Sequence, residues 1–86
     1  MRPGEDLIAK GLADLAQGHD SLEALLVSIG APRLAAAGIP VPAPLANAEH
    51  RLYQRLALDD SDSAHSRYNA LVRRLVSFER AAECVR

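Results

Sequence analysis

Arginine is the residue type whose number and spacing bear most directly on chemistry in this chain. Nine arginines stand against a single lysine, a ratio that suggests GC-rich, bacterial coding before it suggests function. Arg67 and Arg74 are seven residues apart, as are Arg73 and Arg80, so on one helix they form two adjacent lines. Arg51 and Arg55 sit one turn apart in the preceding segment, where like charges repel slightly. Rows of guanidinium groups bind phosphates or carboxylates, and these six residues make a candidate anion or nucleic-acid face. The competing reading is a solvated face, partly neutralised by Glu79, Glu83 and the acidic residues of 59–62. The aromatics among these arginines, Tyr53, Tyr68 and Phe78, fall on or beside the apolar stripes and the pI is about 6.3, so nucleic acid is the less favoured partner.

The other reactive side chains form no recognisable constellation. His19, His50 and His65 are not spaced from a second His or Cys as metal ligands are, although Asp62 precedes His65 by three. The run Asp59-Asp60-Ser61-Asp62-Ser63 lacks the central Gly and distal Glu of a calcium loop and reads as helix-capping chemistry. Cys84 has no His nearby on its own segment to act as a base. No Gly-rich phosphate loop or Ser-His-Asp set is present. The expectation is a protein with no catalytic residue, no metal and no cofactor, hence not an enzyme. A single cysteine excludes an intrachain disulfide and suits a reducing compartment. Residues 1–6 carry no apolar core of a signal peptide, no segment reads as a membrane span, and the expected location is cytoplasmic.

What positions these groups must be helical. Of 86 residues, 49% are hydrophobic, Ala and Leu together number 29, Val and Ile only eight, and Thr and Trp are absent. Strands favour β-branched and aromatic side chains, so this composition argues for helix. Ile8, Leu12, Leu15, His19, Leu22, Leu26 and Ile29 alternate steps of four and three, a heptad seam that predicts one long helix over 4–29. His19 is the polar member of that seam and, facing its own copy, would be pH-sensitive. Gly4, Gly11 and Gly18 recur on one flank, either as incidental weakness or as a smooth strip for close helix approach. The rival parse ends a first helix at Gly18 and starts a second with Asp20 as N-cap and Glu23 as its capping-box partner, giving an antiparallel hairpin.

Gly30 closes this region and Pro32 opens a short helix over 32–37. Leu26, Gly30 and Ala36 could occupy helix-turn-helix positions, but the second helix would carry one basic residue, Arg33. Alternating Pro40, Pro42 and Pro44 predict an extended connector over 38–44. Pro44 suits the first position of a helix over 44–58, striped by Leu45, Ala48, Leu52 and Leu56 with Tyr53 beside it. The last helix, 62–85, carries the clearest seam: Ala64, Tyr68, Leu71, Leu75, Phe78, Ala82 and Val85, broadened by Val72.

The fold class expected is all-α: a single-domain small helical bundle with two long antiparallel helices, a shorter helix and an extended Pro-rich connector. Net charge is -1 but segregated: residues 1–30 carry -3, 31–58 carry +2, 59–63 carry -3 and 64–86 carry +3. Apolar seams with segregated charge suit helix-face docking. The functional expectation is a small intracellular interaction module, a homodimer, with its seam at Ile8, Leu12, Leu15, Leu22, Leu26, Tyr68, Leu71, Leu75 and Phe78 and an additional, unidentified protein partner. Tyr53 and Tyr68 are the aromatic candidates for an interface anchor. The alternative is a nucleic-acid-associated regulator using the Arg face.

Overall fold

Five helices carry the fold in a computed structural model that describes residues 4–84: α1 (Glu5–Ala16), α2 (Leu22–Ile29), α3 (Ala31–Ala36), α4 (Ala48–Asp59) and α5 (Ala64–Cys84). Among the described residues there is no strand, and no helix is long and apolar enough to cross a membrane. The all-α expectation holds, with Val85 of the last seam lying outside the described residues.

The single long helix over 4–29 does not form. At its middle Gly18 takes φ 77, its N–H donates to the Leu15 carbonyl at 3.0 Å, and the His19 N–H donates to the Asp14 carbonyl at 2.7 Å. That pair of bonds is a Schellman motif, which satisfies the last carbonyls of α1 and turns the chain. Ser21 then starts α2, its hydroxyl accepting from the Ala24 N–H at 3.1 Å. The hairpin parse is the right one, with Ser21 in the capping place proposed for Asp20. Continuity of the leucine phase misled because two packed helices each need an inward stripe, and here the stripes happen to stay in register across the turn. His19 is consequently an exposed turn residue and not part of a seam.

Contacts of Lys10 with Glu23 and of Asp14 with Ser21 show α1 and α2 running antiparallel. They approach closely at Gly11: a Cβ there would lie 2.4 Å from the Glu23 carbonyl oxygen and 2.8 Å from a Val27 methyl. The smooth-strip reading of the glycines is therefore true of Gly11, while Gly18 serves the turn.

α2 is the centre of the molecule. Ala24, Leu25, Leu26 and Val27 are all but fully buried, and α1, α3, α4 and α5 all pack on this helix. Four consecutive apolar residues span a full helical turn, so this stretch must be covered on every side. Ile8 and Leu15 of α1, Leu34 of α3, Leu52 and Leu56 of α4, and Leu75, Phe78 and Ala82 of α5 complete the core. Full burial of each Leu or Val is worth roughly 1.5–3 kcal/mol.

The connector between α3 and α4 is held down by alternation. Pro40, Pro42 and Pro44 are exposed, whereas Ile39, Val41 and Leu45 pack against the core. The buried Ser28 hydroxyl donates to the Ala24 carbonyl at 2.8 Å and accepts from the Leu45 N–H at 3.0 Å, pinning the connector to α2. Ala43 at φ 41 interrupts any polyproline course. Asn47 at φ 54 delays the next helix, so α4 begins at Ala48 and Pro44 is not its first residue. α5 has 21 residues and no partner of comparable length, since α1 has 12 and α2 has eight.

Substituting the two hairpin glycines separates their roles. Gly11→Ala would raise helix propensity by ~1 kcal/mol if space allowed, but the methyl collides with backbone, a net cost of about 1–3 kcal/mol. Thermal unfolding should then move down by roughly 5–20 °C. A higher melting temperature for Gly11→Ala would refute the close approach. Gly18→Ala meets no atoms, so its cost, ~1–2 kcal/mol, is that of left-handed backbone alone.

Candidate interaction groove

The side chains singled out by sequence fall into three groups in space. Ile8, Leu15, Leu26, Leu75 and Phe78 are buried in the core of one chain. Leu12, Leu22, Tyr68 and Leu71 are half-buried against it. A docking seam composed of all nine is therefore not on the surface: the faces expected to meet another molecule are largely consumed by covering α2. Tyr53 and Tyr68 pack on each other, ring centroids 5.6 Å apart and tilted by 58°, and join α4 to α5.

The six arginines also divide. Arg51 and Arg55 reach back to the α1–α2 turn, with Nη2 atoms 3.3 and 3.4 Å from Asp20 Oδ2, and Arg55 donates to the Asp20 carbonyl as well. They clasp the turn to α4. Arg67 Nη1 lies 2.7 Å from Asp59, and Arg74 Nη2 lies 3.5 Å from Asp6. Arg73 and Arg80 are exposed on the outer face of α5 and make no ion pair among the described residues. Four of the six are thus engaged by carboxylates of their own chain, from the α1–α2 turn, α4 and α1.

Residues from both candidate sets meet in one place. Leu7 of α1, Leu22, Glu23 and Leu26 of α2, and Arg67, Ala70, Leu71 and Arg74 of α5 line a groove of about 260 Å³. α1 and α5 flank α2 without packing along their length, which leaves Leu22 and Leu26 as an apolar floor. Arg67 and Arg74, two turns apart on α5, stand on one wall. Their carboxylate partners Asp59 and Asp6 are largely exposed, and exposed ion pairs are worth only ~0–1 kcal/mol. Either arginine can therefore exchange its carboxylate for that of a docked segment at small cost.

A second cluster was not visible in the sequence. Glu79 is 4% exposed, its carboxylate 3.6 Å from Arg33, which also holds Glu83 at 2.7 Å. These contacts tie α3 to successive turns of α5. Gly30 makes the room: a Cβ there would sit 2.6 Å from Glu79 Oε2 and 2.9 Å from a Leu75 methyl. Glu79 and Glu83 thus neutralise Arg33 and not the Arg face. With Arg33 so engaged and α3 only six residues long, the helix-turn-helix reading fails. The only hint in sequence was position: Glu79 falls beside Leu75 and Phe78 on the inward stripe.

Among the described residues no group of three His, Cys, Asp or Glu could hold a metal ion, and Cys84 is an exposed free thiol. Comparison with known protein families, curated proteins and solved structures finds no match to this chain.

Burial pushes the Glu79 carboxyl above the usual carboxylate range, with Arg33 opposing that shift and Glu83 adding to it. A raised carboxyl holds its proton longer in the folded state, so its contribution to stability grows as pH falls through the folded pKa and diminishes as pH rises. Glu79→Gln lacks that titration. The melting temperature of the variant minus that of the parent should therefore increase from pH 4 to pH 8. A difference that is flat or decreases over that range would contradict the burial of an ionisable Glu79.

Proposed function

We propose that this chain is a small helical protein–protein interaction module that docks a partner in the groove between α1, α2 and α5. The observation that supports this most directly is the groove itself, an apolar floor walled by two arginines whose own partners are exposed carboxylates. Apolar contact there supplies affinity, and Arg67 and Arg74 select for acidic residues on the incoming segment and set its register. An amphipathic helix with acidic residues along one edge fits that chemistry. The reading needs no cofactor and no catalytic group. With its lone exposed thiol the chain suits a reducing, cytoplasmic setting.

The nucleic-acid alternative is the weaker of the two. Phosphate binding scales with the number of cations in one track; Arg51 and Arg55 are turned to the α1–α2 turn and Arg67 and Arg74 to the apolar groove, and among the described residues only Arg73 and Arg80 of the six make no ion pair.

Three measurements decide between them. A photo-crosslinking residue at position 70, in the groove, should capture a protein in the source cells, whereas the same residue at exposed Ala9 should not. Ala70→Glu places a carboxylate between Arg67 and Arg74 and should weaken partner binding by about tenfold or more without loss of helicity. No adduct at position 70 would sink the groove. A shift of duplex DNA at low salt, abolished by Arg73→Glu with Arg74→Glu, would favour the alternative.

A further inference from the structure

We infer that the occupant of the groove is a second copy of this chain, docked by a reciprocal exchange of Leu58; this rests on reading the groove as a docking site. Leu58, the penultimate residue of α4, is 89% exposed. A lone exposed leucine is ordinary, and the inference comes from what stands beside it. The next residue, Asp59, holds Arg67, one of the two arginines on the groove wall. Asp60 and Asp62 follow, both exposed. An apolar knob with an acidic flank thus adjoins an apolar groove with a basic wall on the same protomer.

A two-fold dimer needs a surface complementary to itself, and knob beside groove is such a surface. In the dimer Leu58 of each copy enters between Leu22, Ala70 and Leu71 of the other. The acidic turn of each then faces the Arg67 and Arg74 of its mate. The Arg67–Asp59 pair within one chain is replaced by the same pair across the interface, so docking does not strip Arg67 of its carboxylate. Every contact is made twice, which is how a groove of modest size yields a lasting complex.

Sedimentation equilibrium on the full chain tests this directly. A closed dimer is expected, and Leu58→Asp should raise its dissociation constant by about 30-fold or more. The exposed position of Leu58 means that helicity should not change, and the melting temperature of Leu58→Asp should match that of the parent diluted below its dissociation constant. Ala70→Glu should dissociate the dimer from the groove side. Mixing the two variants should restore association, because one sound knob still meets one sound groove. Four results would overturn the inference: a chain monomeric at every concentration, a dimer indifferent to Leu58→Asp, a mixture that associates no better than either variant alone, or open chains in place of a closed dimer. A photo-crosslinker at position 70 separates this inference from the reading beneath it. Adducts with the chain itself support both. Adducts only with other proteins overturn self-docking and leave the groove standing, and no adduct at all removes both.

Discussion

Burial of the α2 stretch Ala24–Ser28 on every side is the constraint from which the remaining architecture follows. Eight residues are too few for a helix to persist alone in water, and this one carries a consecutive apolar run, so its stability comes from its surroundings. α1 covers one side at a backbone approach that only a glycine at position 11 allows. α4 and α5 cover two more, and the connector is drawn along by the Ser28 hydroxyl. The molecule is in effect one short apolar helix with the rest of the chain wrapped around it.

That arrangement also decides what is left at the surface. Leucines that a heptad count would assign to an external seam are drawn inward, and the strip where α1 and α5 stand apart leaves the start of α2, at Leu22 and Glu23, partly accessible. Charge is then sorted by position. Arg51, Arg55 and Arg33 fasten turns and helices to one another, while Arg67 and Arg74 remain beside the apolar strip with partners they can exchange. Grouping arginines by spacing on a helix joined residues whose tasks are set by which neighbouring helix each one reaches.

The C-terminal element was the most legible. Its uninterrupted stripe places Leu75, Phe78 and Ala82 in the core, as periodicity indicates, and α5 spans nearly the range read from it. The first half was less so. A leucine phase that continues through Gly18 carries no mark of a reversal, and only the left-handed glycine with its two hydrogen bonds distinguishes turn from helix. Leu25 and Val27 lie off the heptad positions, yet they are as buried as any residue, because a seam supposes one covered face and α2 has several. The groove draws on three helices distant in sequence, so its parts could be named and their meeting could not. Glu79 illustrates the same limit: a carboxylate becomes a buried group through Gly30 and Arg33, about fifty residues away along the chain.

The turn at Gly18 has a consequence for how the chain reaches its native state. Closing α1 onto α2 costs only the entropy of a short loop, whereas joining α4 to α2 requires the longer, proline-stiffened connector to come into place. The hairpin is therefore the least costly tertiary unit to assemble first, and it leaves the apolar side chains of α2 that do not face α1 as a sticky ridge on which the later helices condense.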